Sequence, residues 1–268
     1  MNTQDIMAAA LEMVGMSQVP GDSEIYHPGE KIKRLLFAVD IGAGELSIAR
    51  QLGFDAVVAH HPPRGAALPL WEVYQRHVDL MTKAGVPQED AAEAVNGTIA
   101  GMKANYHSGN HEHFPSLSRL LAMPFLNIHG PLDELGRRIM QKAIDDARVE
   151  TVADVMEALS ALPEMVQAPS EVTLVAGSLS RRVKKAVVAH GCLTNGGYSV
   201  ADAYFRNGID TVIYIHCSHA DAQRLAEEGR GNLIVSGHIA SDFVGINPFL
   251  RHLSARGLEI VALDGALL

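Results

Sequence analysis

Arg34-Leu35-Leu36-Phe37-Ala38-Val39-Asp40 reads as a buried strand. Gly42 and Gly44 then turn the chain into a helix running to Leu52, and Asp55-Ala56-Val57-Val58-Ala59 forms a second strand that ends on His60-His61-Pro62-Pro63. A strand, a crossover helix and a strand joined so closely make a parallel pair. The same order returns downstream. A strand at 185–189, a glycine turn, a helix near 197–207 and a strand at 210–215 end on His216-Cys217-Ser218-His219.

Outward from these two passages, short β-branched runs alternate with longer helical patterns. Helices are predicted over 2–16, 70–84, 88–105, from Pro131 to about Arg148, over 219–228 and over 239–256. Thr151-Val152-Ala153-Asp154 has the form of a helix cap. Further strands are predicted at 171–176, 232–236 and from Leu258 to Leu263, and Pro163 and Pro169 mark the best linker candidate. The expected fold class is α/β: two similar α/β lobes with mainly parallel strands, facing one another across a metal-binding cleft. The N-terminal lobe is expected to cover residues 1–130 and the C-terminal lobe 131–268, with about 236–268 returning to the first.

His60 and His61 are the first candidates for chemistry. Adjacent strand residues point to opposite faces, but at a strand's end the backbone turns and both can point forward, with Pro62 and Pro63 fixing the turn. Alone, they read slightly better as two loop histidines. Downstream, Ser236-Gly237-His238-Ile239-Ala240-Ser241-Asp242 places His238 and Asp242 at i and i+4 of a helix start, hence on one face. Their plainer reading is a capping and surface pair. Two such segments, each directly after an apolar strand, favour a divalent metal site built from imidazole and carboxylate.

These residues carry a resemblance. Val39-Asp40 through Ala59-His60-His61-Pro62, together with Gly237-His238-Ile239-Ala240-Ser241-Asp242, are similar to the NGG-one-interacting-factor-three-like family, whose members are also described as type 2 homologues of GTP cyclohydrolase I. The resemblance covers nearly the whole chain. It implies a site for two divalent metals formed by the adjacent histidines, a central aspartate and a C-terminal His-x-x-x-Glu, and it implies two-lobed subunits in homohexameric rings. Carried onto this chain, it gives His60, His61, His238 and Asp242, the last in place of glutamate.

For the family's central His-Thr-Asn-Leu-Asp, the expected counterpart is His107-Ser108-Gly109-Asn110-His111, with His107, Glu112 and His113 as substitutes. His111 would then replace a bridging carboxylate. An imidazole offers one lone pair where a carboxylate has two oxygens, so the centre could hold one or two ions. The expected ligand set is His60, His61, His111, His238 and Asp242, and the expected cofactor is Zn, Fe, Ni or Mn. His190, Cys192, His216, Cys217 and His219 read either as a further metal or substrate shell or, more plainly, as strand ends with buried thiols.

The function expected from this set is a metal-dependent hydrolase acting on an unknown small molecule, of cyclohydrolase or phosphoester type, by lowering the pKa of bound water. The alternatives are a non-catalytic regulatory or metal-delivery protein and a ring scaffold with a vestigial metal. Other chemistries lack their signatures. Gly42-Ala43-Gly44 has no third glycine for a dinucleotide turn, and neither a phosphate-loop Gly-x-x-x-x-Gly-Lys-Ser/Thr nor a Gly-x-Ser-x-Gly elbow occurs.

Composition sets the remaining bounds. A formal charge of −9 disfavours nucleic acid or an anionic membrane as partner, and 47% hydrophobic with 20% charged residues is ordinary for a globular core. The one tight basic cluster, Arg181-Arg182-Val183-Lys184-Lys185, reads as a solvated loop. Two cysteines suit a reduced compartment, and the first residues have no basic leader, so a cytoplasmic protein is expected. The 13 histidines stand against 22 Lys plus Arg and are clustered, as a metal site would require.

Overall fold

A computed structural model describes residues 1–63 and 69–265. In chain order its elements are α1 (Thr3–Val14), β1 (Glu24–His27), β2 (Arg34–Ala38), α2 (Ala43–Gln51), β3 (Ala56–Ala59), α3 (Leu70–Tyr74), α4 (Arg76–Ala84) and α5 (Gln88–Asn105). They continue with α6 (His113–Leu120), β4 (Phe125–Asn127), α7 (Gly130–Ala147), α8 (Val152–Ser160), α9 (Pro163–Gln167), β5 (Thr173–Ala176) and β6 (Ala186–Val188). The last are α10 (Gly197–Arg206), β7 (Thr211–Tyr214), α11 (His219–Glu228), β8 (Asn232–Val235), α12 (His238–Ala255) and β9 (Glu259–Ala262).

The chain divides into two compact units. The first comprises Met1–Val73, Lys103–Leu135 and Gly245–Leu268, and the second Tyr74–Met102 and Gly136–Val244. The expected lobes are 1–130 and 131–268, with about 236–268 returning to the first; here Gly245–Leu268 lies in the first unit, while α4 and most of α5 lie in the second. The reason is apolar burial. Met81, Ala91 and Val95 share one buried cluster with Val212, Tyr214 and Leu233 of the second sheet.

The first unit has a five-stranded sheet in the order β1-β4-β3-β2-β9. β2 pairs in parallel with β3 and with β9, β3 pairs in parallel with β4, and β1 lies antiparallel to β4. Both faces of its central strands are buried, which is why β2 and β3 read as continuous apolar runs rather than alternating ones. Leu36, Ala38, Val57, Ala59 and Phe125 join Leu46 and Ala49 of α2 in one layer.

The second unit has a four-stranded sheet in the order β5-β8-β7-β6, again with an antiparallel first strand and three parallel ones. Alternate residues divide between its two faces. Val212, Tyr214 and Leu233 pack on one side, and Ile213 and Ile234 on the other with Met140, Ile144, Val155 and Val244.

The two sheets therefore repeat one plan, strand for strand, with β9 added to the first. Even the irregularity recurs: the register shifts between Ile25 and His27 in β1, and between Leu174 and Ala176 in β5. The mixed α/β class with mostly parallel strands is as expected. Among the described residues, no helix is long and apolar enough to cross a membrane.

Candidate metal centre

In the first unit, the ladder continues one step past β3. His60 donates its backbone N–H to Ala38 at 3.0 Å and His61 donates to Val39 at 2.9 Å. The chain bends there, and the two rings converge with centroids 5.1 Å apart instead of pointing to opposite faces. The neighbouring strand β4 delivers a third ring. Ile128 donates to the Ala59 carbonyl at 3.0 Å, and His129 follows at the start of α7, its ring 4.8 Å from that of His60 and 5.6 Å from that of His61. One ring nitrogen from each of His60, His61 and His129 lies within 4.8 Å of the others. These three imidazoles can hold a metal ion.

Each ring is held by an oxygen at its Nδ1. His60 Nδ1 is 3.0 Å from the Ile128 carbonyl, His61 Nδ1 is 2.9 Å from Asp40 Oδ1, and His129 Nδ1 is 2.9 Å from Asp22 Oδ2. A carbonyl or a carboxylate accepts, so the Nδ1 proton is fixed and, in the neutral ring, Nε2 keeps its lone pair. This is the arrangement that orients a ligating histidine. Asn127 at the end of β4 braces the supports. Its amide donates to the Asp22 carbonyl at 2.7 Å, and its oxygen accepts from Tyr26 Oη at 2.8 Å. Burial pushes the Tyr26 hydroxyl far above its ordinary range, so it stays a donor.

A carboxylate lies beside two of these rings. Asp133 lies one turn into α7 and is buried, with Oδ1 3.2 Å from His60 Nε2 and Oδ2 3.4 Å from His129 Nδ1. With His60 Nδ1 donating to a carbonyl, the Nε2 lone pair faces a carboxylate oxygen. A cation at that point removes the repulsion, so the donor set fits a divalent metal.

The second unit gathers its own imidazoles around Asp242. Its carboxylate is buried, with Oδ2 3.5 Å from His238 Nε2 and Oδ1 3.9 Å from His190 Nε2. His216 lies with its ring 4.8 Å from that of His238, and its Nδ1 is 2.8 Å from Asn195 Nδ2. Gly237, at φ 97, makes the left-handed turn from β8 into α12, a backbone that a side chain would strain. Ser236 and Ser241 join their hydroxyls at 2.7 Å across that turn. Cys192 is buried, and burial raises the half-buried Cys217 thiol to about 11, which makes it a poor thiolate donor. His219 is exposed at the start of α11.

The structure thus brings His60 and His61 together, and His238 with Asp242, but it places His111 elsewhere. His111 lies in the turn before α6 with its ring stacked on Tyr106 at 5.3 Å, and Glu112 pairs with Arg119 at 2.6 Å. Among the described residues, the side-chain groups able to hold a metal include neither His111 nor His107, Glu112 or His113. The central segment is instead His129-Gly130-Pro131-Leu132-Asp133, which matches His-Thr-Asn-Leu-Asp at its first, fourth and fifth positions. Asp133 offers a carboxylate 3.2 Å from His60 Nε2, where a histidine is expected to take the place of one. The signal was present as a second His-x-x-x-Asp with the spacing of His238 and Asp242.

The sequence matches the profile of the family described as Duf34/NIF3 (NGG1p interacting factor 3) over residues 24–265. The chain belongs to this family. Among solved structures, this Duf34/NIF3 chain is similar to a NIF3 superfamily protein from Sphaerobacter thermophilus, with 47% identity, a TM-score of 0.96, and 99% of this chain and 98% of that chain covered. The fold is shared more distantly with reduced HcgD from Methanocaldococcus jannaschii at 15% identity and a TM-score of 0.61, covering 99% of this chain and 98% of that one. It is shared likewise with TTHA1606 from Thermus thermophilus at 17% identity and a TM-score of 0.56, covering 100% and 99%. No curated protein matches the chain.

Proposed function

We propose that this Duf34/NIF3 protein is a metal-dependent hydrolase of a small molecule. It binds one or two divalent transition-metal ions through His60, His61, His129 and Asp133 of the first unit, and through His238 and Asp242 of the second. The observation that carries the reading is the support of the three first-unit imidazoles, each fixed at Nδ1 by an oxygen acceptor. Such outer contacts are what ligating histidines require, and they make the ring geometry available before the ion arrives.

When bound, the ion supplies Lewis acidity toward water and toward a substrate carbonyl or phosphoryl oxygen. The chain's own residues set the surroundings. His60 and Asp133 are buried, so they exclude water from the inner side, while His61 is partly open to solvent. Asp40, at the end of the β2 segment, holds the His61 ring from the solvent side. Nitrogen-rich donors with a carboxylate suit Zn, Fe, Ni or Mn. Rings locked in this way suit a resident ion better than one in transit, which ranks hydrolysis above metal delivery.

The test is elemental analysis of the purified chain beside a panel of phosphoester and cyclic C–N substrates. Replacing His60, His61 and His129 together should remove the metal and all turnover. A protein that keeps its ion tightly but turns over no substrate of either class would overturn the hydrolase reading. From the resemblance we also propose a homohexamer in the cytoplasm, with light scattering as the check on assembly.

A further inference from the structure

The second unit contains a cavity of about 500 Å³ far richer in positive charge than the chain as a whole. Lys83 from α4, Arg137 from α7, Arg148 just beyond α7, and Lys184 and Lys185 before β6 line it, against the single carboxylate of Asp145. The last two lysines are half of the basic cluster read from sequence as a solvated loop. They are exposed in a loop, as read, and from it they also line this cavity.

The charge is not balanced locally. Lys185 Nζ caps the Ala84 carbonyl at 2.7 Å, and Gln141 Nε2 donates to Asp145 at 3.0 Å. No carboxylate pairs with the side chains of Lys83, Arg148 or Lys184 among the described residues, whereas Lys142, Arg224 and Arg34 each have a carboxylate partner within 3.4 Å. The C-terminal ends of α4 and α7 reach the cavity and contribute roughly half a negative charge each, so Lys83, Arg148, Lys184 and Lys185 set against Asp145 and these two ends leave about two positive charges. Gathering like charges around a concave space destabilises the fold unless something resolves the repulsion. The rest of the lining is apolar, with Leu80, Ile144 and Val187 among it.

We propose that this cavity binds a phosphorylated small molecule with two or more negative charges and an apolar or planar body. Lysine and arginine together recognise phosphate, arginine in a bidentate fork and lysine as a point charge. The volume falls within the ~300–1,000 Å³ typical of ligand sites, and the apolar wall gives the body a surface to cover. Concavity favours a small molecule over an acidic protein surface. The inference is independent of the metal centre.

Isothermal titration calorimetry of the full chain with ADP, inorganic pyrophosphate and adenosine tests it. ADP should bind, and adenosine should bind at least about tenfold more weakly because the charged contacts are lost. Arg148→Glu with Lys184→Glu should weaken ADP by about a hundredfold, since two attractive contacts become repulsive. Both side chains are exposed, and an unchanged melting temperature checks the fold; Lys83→Gln gives a milder second variant. His61→Ala should bind ADP as the parent chain does. No ADP binding, equal binding of adenosine, undiminished binding by the charge-reversed variants, or loss of binding on His61→Ala would each overturn the proposal.

Discussion

Asp22 Oδ2 lies 2.9 Å from His129 Nδ1, with both side chains buried and the two residues 107 positions apart in the chain. The same carboxylate accepts from Gly130 N at 3.3 Å, so it fixes both the ring and the first turn of α7. Asp22 is no ligand itself; it sets the direction of a ring that can be one.

Replacing Asp22 by Asn should therefore lower metal affinity without removing a ligand. Loss of an outer-shell partner costs about 10- to 100-fold in affinity. Gly130→Ala should act in the same direction, because an added Cβ would meet Asp22 Oδ1 at 2.9 Å and push it from the ring. Competition titrations with a chromophoric chelator measure both. Unchanged affinity in both variants would show that Asp22 does not orient His129.

Asp133→Asn and His111→Ala separate the two candidates for the central position. Asp133 is buried 3.2 Å from His60 Nε2, whereas His111 stacks on Tyr106. Metal stoichiometry or affinity should fall with Asp133→Asn and stay at the parent value with His111→Ala, measured by elemental analysis after gel filtration. The reverse pattern would restore His111 as the ligand.

Long helices and buried strands were legible because their period or apolar run extends over many residues. The expected helix over 88–105 is the α5 found at Gln88–Asn105. β4 was not legible, since Phe125–Asn127 is too short to show a period and is followed by Gly130 and Pro131, which resemble a turn. With that strand went His129 and Asp133. Pro163 reads as a break in the sequence, but it opens α9 at the position where a missing N–H costs nothing. His60 and His61 stood out by adjacency. Asp22 could not, because nothing near it in sequence announces a partner so far along the chain.

His77 should govern part of the acid response. It is fully buried, its Nε2 donates to the Thr194 carbonyl at 2.9 Å, and burial lowers its pKa from 6.5 to about 4. The folded chain keeps the ring neutral while the unfolded chain takes up a proton below pH 6.5. Stability is therefore full above that pH and falls as pH drops toward 4. At about 1.4 kcal/mol per pH unit, the parent chain should lose about 2 kcal/mol more than His77→Gln between pH 6.5 and 5. Urea unfolding at the two pH values measures the difference, and parallel losses would remove His77 from the account.

Cys217 should be slow to alkylate. Its pKa of about 11 leaves roughly a hundredfold less thiolate at pH 8 than an ordinary cysteine near 8.5. Mass spectrometry of iodoacetamide labelling should show a rate still rising above pH 10. A plateau near pH 9 would contradict the burial effect.

The pairing of β9 with β2 also fixes an order of events during synthesis. Glu259 aligns with Arg34, 225 positions earlier, so the edge of β2 has no neighbour of its own until the ribosome has passed residue 262. Until then the sheet behind His60, His61 and His129 stays open at that edge, and such an edge invites strange strands. A nascent chain halted at residue 244 would carry all the residues of the second unit but an incomplete first sheet. The histidines made early thus wait on the strand made late.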